Sequence, residues 1–407
     1  MSGRSVIASM QPIRDRRERV IAYAVSSCAT DSRFGSAGAD DDALHIVEMV
    51  ARLSRLAGRT LVVPVTPTLV RDGVLTRFAS TDAVWLLATD ALEDSRTRRA
   101  VDRLLSTGFH FALEGYPEGE PLPPSLVGST IVLDAVRTSP AALTGRVAML
   151  LEAGLHPLIR GVDDRATRQV VVDAGAPMYS GRLLMRGSTS AIDRELEDTI
   201  VRAINMLAAF ADGRPPDVAF DEFVRDDPHL ATALLRALNS AALGNRGPRS
   251  VAHAMTMLGR DAVMEQLVLV TTRLIGDVSH DHELAFVALR RARVCERVGA
   301  ALDGALHPRA RVIAGVLSTL EFALGVPPSM LLDRLTLPPM LRDVLVDREQ
   351  TMGRLLDVID ALEYGWWDDV QTRCTALGIA PLVVGDAWLI AWRSARDELG
   401  LSRSDIT

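Results

Sequence analysis

The stretch STIVLDAVRTSPAALTGRVAMLLEAGLHPLIRGVDDRATRQVVVDAGAPMYSG, residues 129–181, decides how the first half of this chain folds. Ser129 to Asp134 is a short β-rich run, and Pro140 to Ala153 carries apolar residues at helical spacing. Pro157 to Gly161 is a second strand, Arg165 to Ala174 a second helix, and Ala176 to Gly181 a closing strand. Strand and helix in repeated alternation predict a parallel sheet or a barrel.

The same rhythm extends upstream. Val6 to Ser9 and Val20 to Val25 bracket a charged turn and read as a hairpin-like start. Thr60 to Val63, closed by Pro64, and Asp82 to Ala88 are further strands. Leu92 to Ser106 reads as a helix and Gly108 to Leu113 as a strand, ahead of a Gly/Pro-rich loop from Gly115 to Pro124. The strand count allows a (β/α) barrel of slightly reduced size. From Ile192 onward the pattern is helical, broken at Pro327-Pro328 and Pro338-Pro339. Leu284 to Leu302 reads as a long amphipathic helix whose Arg290, Arg291, Arg293 and Arg297 form a solvated face. A Gly/Ser/Thr stretch near Gly187 to Asp193 is the expected linker, giving domains of 1–188 and 192–407. The tail from about residue 370 to 407 reads as a helical extension of the second.

The chain has 407 residues and a formal net charge of −7, which argues against general nucleic-acid binding. All 45 cationic residues are arginine, so neither a lysine Schiff base nor a Walker A lysine can form. Cys28, Cys295 and Cys374 are too scattered for a metal site or a disulfide framework. No run approaches the roughly 20 apolar residues that cross a bilayer. A cytoplasmic protein without membrane attachment or cofactor is expected. GxSxG and GxGxxG are absent, which excludes a nucleophile elbow and a dinucleotide fingerprint. Trp388 and Trp392, four apart, share one helix face and read as core, and Trp366-Trp367 as aromatic residues pinning the last helices.

Two family resemblances enter here. Leu234-Leu235-Arg236-Ala237-Leu238-Asn239-Ser240-Ala241-Ala242, then Gly244, Pro248, Ser250, Ala252-His253-Ala254-Met255 and Met257-Leu258-Gly259, resemble the signature of the HDOD family, helical relatives of the HD phosphohydrolases. Asn239, Ser240 and Gly259 mark that signature, in a structural or interaction role, and His253 would be packed or half-buried beside it. Gln11-Pro12-Ile13-Arg14-Asp15, Phe111-Ala112-Leu113-Glu114-Gly115-Tyr116, Ile159-Arg160-Gly161-Val162-Asp163 and Tyr179-Ser180-Gly181 more faintly resemble the EAL domain of cyclic di-GMP phosphodiesterases. An EAL-like barrel followed by an HDOD-type bundle is similar to the architecture of the YuxH-like group.

The EAL resemblance implies metal-bound water attacking a phosphodiester, and hard cations need several oxygen ligands together. The matching positions do not supply them. The family's first glutamate falls at Ala24, its asparagine at Pro64 and its third-strand glutamate near Leu87. Its paired aspartates fall at Glu114 and Gly115, its lysine near Val132 and its late glutamate at Arg160, a reversal of charge. Asp134 and Asp163 remain. In the HDOD-like half, Ala314 to Thr319 lacks the metal-binding His-Asp pair, and His280-Asp281-His282 reads as a polar loop opening a helix. The expectation is a non-catalytic signalling or scaffold protein, not an enzyme, with no catalytic or metal residues and protein partners. The alternative is a receptor binding cyclic di-GMP without hydrolysis through Asp134, Arg160 and Arg182. A homodimer is compatible with either.

Overall fold

The computed structural model describes residues 6–29, 44, 47, 49, 53–54, 57–78, 83–116, 128–181, 194–211, 227–241, 247–279, 282–302, 306–324 and 333–401. The chain divides into two compact units. One comprises Met1–Leu184 with Ala361–Trp367 and Ile406–Thr407, the other Met185–Asp360 with Asp368–Asp405.

The first unit is built on a closed barrel of eight strands in chain order. They are β1 (Val6–Asp15), β2 (Val20–Ala29), β3 (Thr60–Pro64), β4 (Ala83–Ala88), β5 (His110–Glu114), β6 (Thr130–Asp134), β7 (His156–Arg160) and β8 (Met178–Tyr179). β1 runs antiparallel to both neighbours, β2 and β8, and every other pairing is parallel. The parallel strands are buried on both faces, which is why β3, β5, β6 and β7 read as unbroken apolar runs. Ile13, Ala22, Val62, Ala112, Val132 and Leu158 fill the barrel, with Ala24, Val84, Leu86 and Met178 packed on them. Between strands, helices α1 (Pro67–Arg71), α2 (Ser95–Ser106), α3 (Pro140–Glu152) and α4 (Arg165–Asp173) open on Thr66, Asp94, Ser139 and Asp164, each accepting from a backbone N–H of the first turn.

The hairpin turn between β1 and β2 ties the barrel seam. Asp15 Oδ1 accepts from the N–H groups of Arg17 and Arg19 at 2.8 and 3.0 Å. Burial pushes the Asp15 pKa up, but the bonds from Arg19 and Arg17 outweigh it and leave it below the usual carboxylate range. Glu18 has φ of 65°, left-handed for a residue with a Cβ. Its carboxylate accepts from the buried Tyr179 hydroxyl of β8 at 3.0 Å and pairs with Arg168 of α4.

In the second unit, α5 (Arg194–Ala209), α6 (Pro228–Ala241), α7 (Val251–Leu258) and α8 (Arg260–Ser279) lead to α9 (His282–Gly299). There follow α10 (Pro308–Leu317), α11 (Leu320–Leu324), α12 (Pro339–Val346), α13 (Thr351–Tyr364), α14 (Trp367–Ala376) and α15 (Pro381–Leu399), of which Ala361–Tyr364 and Trp367 count with the first unit. α9 is the central helix, packed against α8, α10 and α15. At its crossing with α10, a Cβ on Gly315 would lie 2.5 Å from Ala292 Cα, so only glycine lets the two backbones approach.

The arginine face expected on α9 is a correction. Arg290, Arg291 and Arg293 are buried, and only Arg297 of the four is exposed. The Arg290 guanidinium lies 3.9 Å from the ring centroid of Trp388, 4.7 Å from that of Trp392 and 5.2 Å from that of Phe286. Arg291 donates to Ser318 Oγ at 3.2 Å and to Asp360 at 2.7 Å. Arg293 reaches Glu265, Glu296 and Glu398 at 2.6, 3.2 and 2.6 Å. Burial acts to lower the Arg293 pKa, but Glu265 and Glu398 dominate and raise it further. Trp388 and Trp392 are fully buried, as their spacing predicts.

Candidate functional site

Alternation along the strands fixes what faces the barrel interior. Ala112 on β5, Val132 on β6 and Leu158 on β7 lie in the interior cluster, so Glu114, Asp134 and Arg160, two residues on, share that inner face. All three close their strands, at the C-terminal mouth where barrels of this type carry their sites. The structure thus brings Asp134 and Arg160 together as register partners on adjacent strands. Arg182 lies outside the described residues.

The mouth is occupied by its own charges. Arg160 donates to Glu114 Oε1 across the intervening β6, and their side chains are 36% and 42% exposed. Asp134 Oδ1 accepts from the Val136 N–H at 2.8 Å, and its Oδ2 lies 3.8 Å from Arg137, which is largely solvated. The Glu114 carbonyl accepts from Thr89 Oγ1 at 2.9 Å, which anchors the end of β5. Gly161, at φ of 72°, follows Arg160, and a Cβ there would press on Val136 at 2.8 Å. The β7 turn is therefore held close against the loop after β6.

One layer deeper the inward side chains of β3 to β8 are apolar. Val62, Leu86, Ala112, Val132, Leu158 and Met178 make that layer, with Ala24 beside them. Leu87, expected at an acidic position of the mouth, faces outward. Leu86 packs inside, so alternation leaves Leu86 and Ala88 as the inward residues of β4. Both are apolar. A divalent cation needs convergent oxygen ligands. Among the described strand ends of β3 to β7, two carboxylates share the mouth with an arginine already paired to one of them. That donor set does not fit a two-metal centre. Among the described residues, no three His, Cys, Asp or Glu side chains gather into a group able to hold a metal.

In the second unit, Asn239 Nδ2 donates to the Pro248 carbonyl at 3.3 Å, and a Cβ on Gly247 would fall on the Asn239 amide. Asn239 thus ties α6 to the segment before α7 where the backbones approach closely. Ser240 is exposed on the same turn. Gly259 ends α7 at φ of 86° and donates to the Met255 carbonyl at 3.2 Å. His253, expected to be packed or half-buried, is exposed instead, and its Nδ1 accepts from the Arg249 N–H at 3.2 Å. His280 and Asp281 lie outside the described residues, and His282 is exposed at the start of α9.

The charge centre that sequence reasoning missed lies under α9. Asp360 accepts from Arg291 at 2.7 Å and from Arg348 at 2.5 Å, and Arg348 also donates to Asp357 at 3.0 Å. Burial acts to raise the Asp360 pKa, but Arg291 and Arg348 dominate and hold it below the usual carboxylate range. The cluster is fully partnered.

No protein-family model matches the chain. Over 164 residues it is 26% identical to the cyclic di-GMP phosphodiesterase CdgJ of Vibrio cholerae, covering 40% of this chain and 37% of CdgJ. The chain therefore spans little more than a third of that relative. Over 391 residues it is 21% identical to the uncharacterized protein YuxH of Bacillus subtilis, covering 92% of this chain and 93% of YuxH. It is thus a distant homologue of a phosphodiesterase in part and of YuxH almost throughout. Among solved structures, the EAL domain of FimX from Pseudomonas aeruginosa bound to c-di-GMP aligns with 16% identity and a TM-score of 0.37, covering 44% of this chain and 89% of that one. Among the described residues no single helix is long and apolar enough to cross a membrane.

Proposed function

We propose that the chain is a non-catalytic signal-transduction or scaffold protein acting through protein–protein contacts, with a degenerate EAL-type barrel (1–188) and an HDOD-type helical domain (192–407). The observation that carries this reading is the Arg160–Glu114 pair at the barrel mouth, above a layer of apolar side chains. Hydrolysis of a phosphodiester asks for oxygen ligands around a metal and a group to activate water. The mouth presents instead a guanidinium neutralising one of two carboxylates, and the chain has no lysine to stand at Val132. The relationship to CdgJ supports a cyclic di-GMP-related signalling role. The Asn239 tie to Pro248 and the glycine turn at Gly259 support a structural role for the HDOD-like signature.

A second reading rests on Arg160. An inward arginine at a barrel mouth can accept a phosphate, so the barrel would bind cyclic di-GMP without cleaving it. Incubation of the full chain with cyclic di-GMP and magnesium or manganese tests the first reading: no pGpG is expected, and steady pGpG release removes it. Calorimetric titration decides the second. Saturable binding supports a receptor, and a flat trace leaves the interaction module, for which the full chain should retain a reproducible protein partner on co-purification.

A further inference from the structure

Among the described inward-facing strand ends of β3 to β7 (Pro64, Ala88, Glu114, Asp134 and Arg160), Arg160 is the one cation. Its guanidinium has the planar fork that grips a phosphate through two parallel hydrogen bonds. Below it the inward side chains of β5, β6 and β7, Ala112, Val132 and Leu158, are apolar, so on these strands an anion engages at the layer of Arg160. The fork is taken by Glu114, reaching across β6. Asp134 is held by the Val136 N–H and stays beside Arg160 as its register partner. The two side chains of the pair are 36% and 42% exposed, so water screens them and the pair is weak enough for a ligand to open.

We propose that Glu114 is a built-in competitor for Arg160, so that the barrel mouth takes a phosphodiester anion only once the Glu114 charge is displaced or removed. This rests on the receptor reading above and adds its regulation. In the resting state the carboxylate satisfies the guanidinium and repels the ligand. With that charge gone, Arg160 turns its fork to the phosphate while Asp134 stays bound to its own loop.

The test is calorimetric titration of the full chain with cyclic di-GMP, without added metal, for the wild type, Glu114→Gln, Arg160→Gln and the double variant. Near-UV circular dichroism confirms that each is folded. Both side chains are partly solvated, so neither change opens a core cavity. Glu114→Gln should bind about tenfold more tightly than the wild type, the effect of removing about 1.4 kcal/mol of like-charge opposition. Arg160→Gln should lose binding, and the double variant should show no gain. Binding by Glu114→Gln with a flat wild type supports the competitor and removes the receptor reading for the resting protein. No gain in Glu114→Gln, or a gain that survives in the double variant, overturns the proposal. The non-catalytic reading is judged separately, on pGpG release.

Discussion

Asp360→Asn should destabilise the helical unit more than most single changes. Asp360 bridges the fully buried Arg291 and the partly buried Arg348, which has a second carboxylate in Asp357. Arg291 also donates to the Oγ and carbonyl of Ser318, both uncharged, at 3.2 and 3.5 Å. Removing the Asp360 charge takes from a guanidinium held out of water the carboxylate it reaches at 2.7 Å. Breaking a buried pair from one side costs about 3–5 kcal/mol. At about 2–4 °C per kcal/mol for a unit of this size, the melting temperature should fall by roughly 6–20 °C. Urea unfolding of the full chain, followed by Trp fluorescence, reads the effect through the buried Trp388 and Trp392. The double change Arg291→Met with Asp360→Leu should recover much of the loss, since it removes both charges and keeps apolar volume. A loss below about 1 kcal/mol for Asp360→Asn would refute the reasoning, because it would mean that water or another carboxylate compensates Arg291.

The pH dependence follows from the same group: the folded pKa of Asp360 lies below its unfolded value of about 3.9, so its contribution is present above pH 4 and lost as the pH falls through the folded value. Acid unfolding should therefore shift to higher pH, and lose steepness, in Asp360→Asn. Burial pushes the Cys374 thiol up to about 11, so its contribution is full below the unfolded value of about 8.5 and is lost as the pH rises toward 11; iodoacetamide at pH 8 should label it only after unfolding. At the barrel seam, Glu18→Gly should be about 1 kcal/mol less destabilising than Glu18→Ala in urea melts, since both lose the Tyr179 and Arg168 contacts but only glycine is at ease at φ of 65°. Gly315→Ala should cost about 1–3 kcal/mol by forcing α9 and α10 apart at Ala292, measured by the urea midpoint.

Most of the barrel was legible because its strands are buried on both faces. Leu61, Val62 and Val63, or Ile131, Val132 and Leu133, are apolar whichever way they point, so each strand announces itself as a run between polar ends. The expected strand ends fall within one or two residues of the observed ones for β3 to β7. β1 and β2 run longer than the apolar pattern shows, because Met10 to Asp15 and Ser26 to Ala29 are carried by pairing in the antiparallel hairpin. The arginines of α9 were misread because arginine is a surface residue by default. What draws Arg293 inward is Glu398, 105 residues away, and what draws Arg291 inward is Asp360, 69 residues away. No local pattern carries such partners. The same holds for Glu114 and Arg160, separated by 46 residues, whose pairing appears only once the strands close.

On the proposed non-catalytic reading, the mouth constrains any return to catalysis. Val132 is nearly fully buried, packed among Ile13, Ala22, Val62, Ala112 and Leu158. A Val132→Lys change would set an ammonium there, at an effective penalty of several kcal/mol, which the group escapes by losing its proton. The nearest carboxylate on the neighbouring strand, Glu114, is register partner to Val132 but is held by Arg160. The variant should therefore be less stable in urea and should still release no pGpG. Adding Arg160→Glu removes the competing guanidinium and leaves three carboxylates, Glu114, Asp134 and Glu at 160, beside the lysine. If that double variant hydrolyses cyclic di-GMP with manganese, the barrel is one charge reversal and one lysine from an enzyme. If it stays silent while folded, the apolar Ala24, Pro64 and Leu86 are as decisive as the charges, because they supply no ligand from β2, β3 and β4.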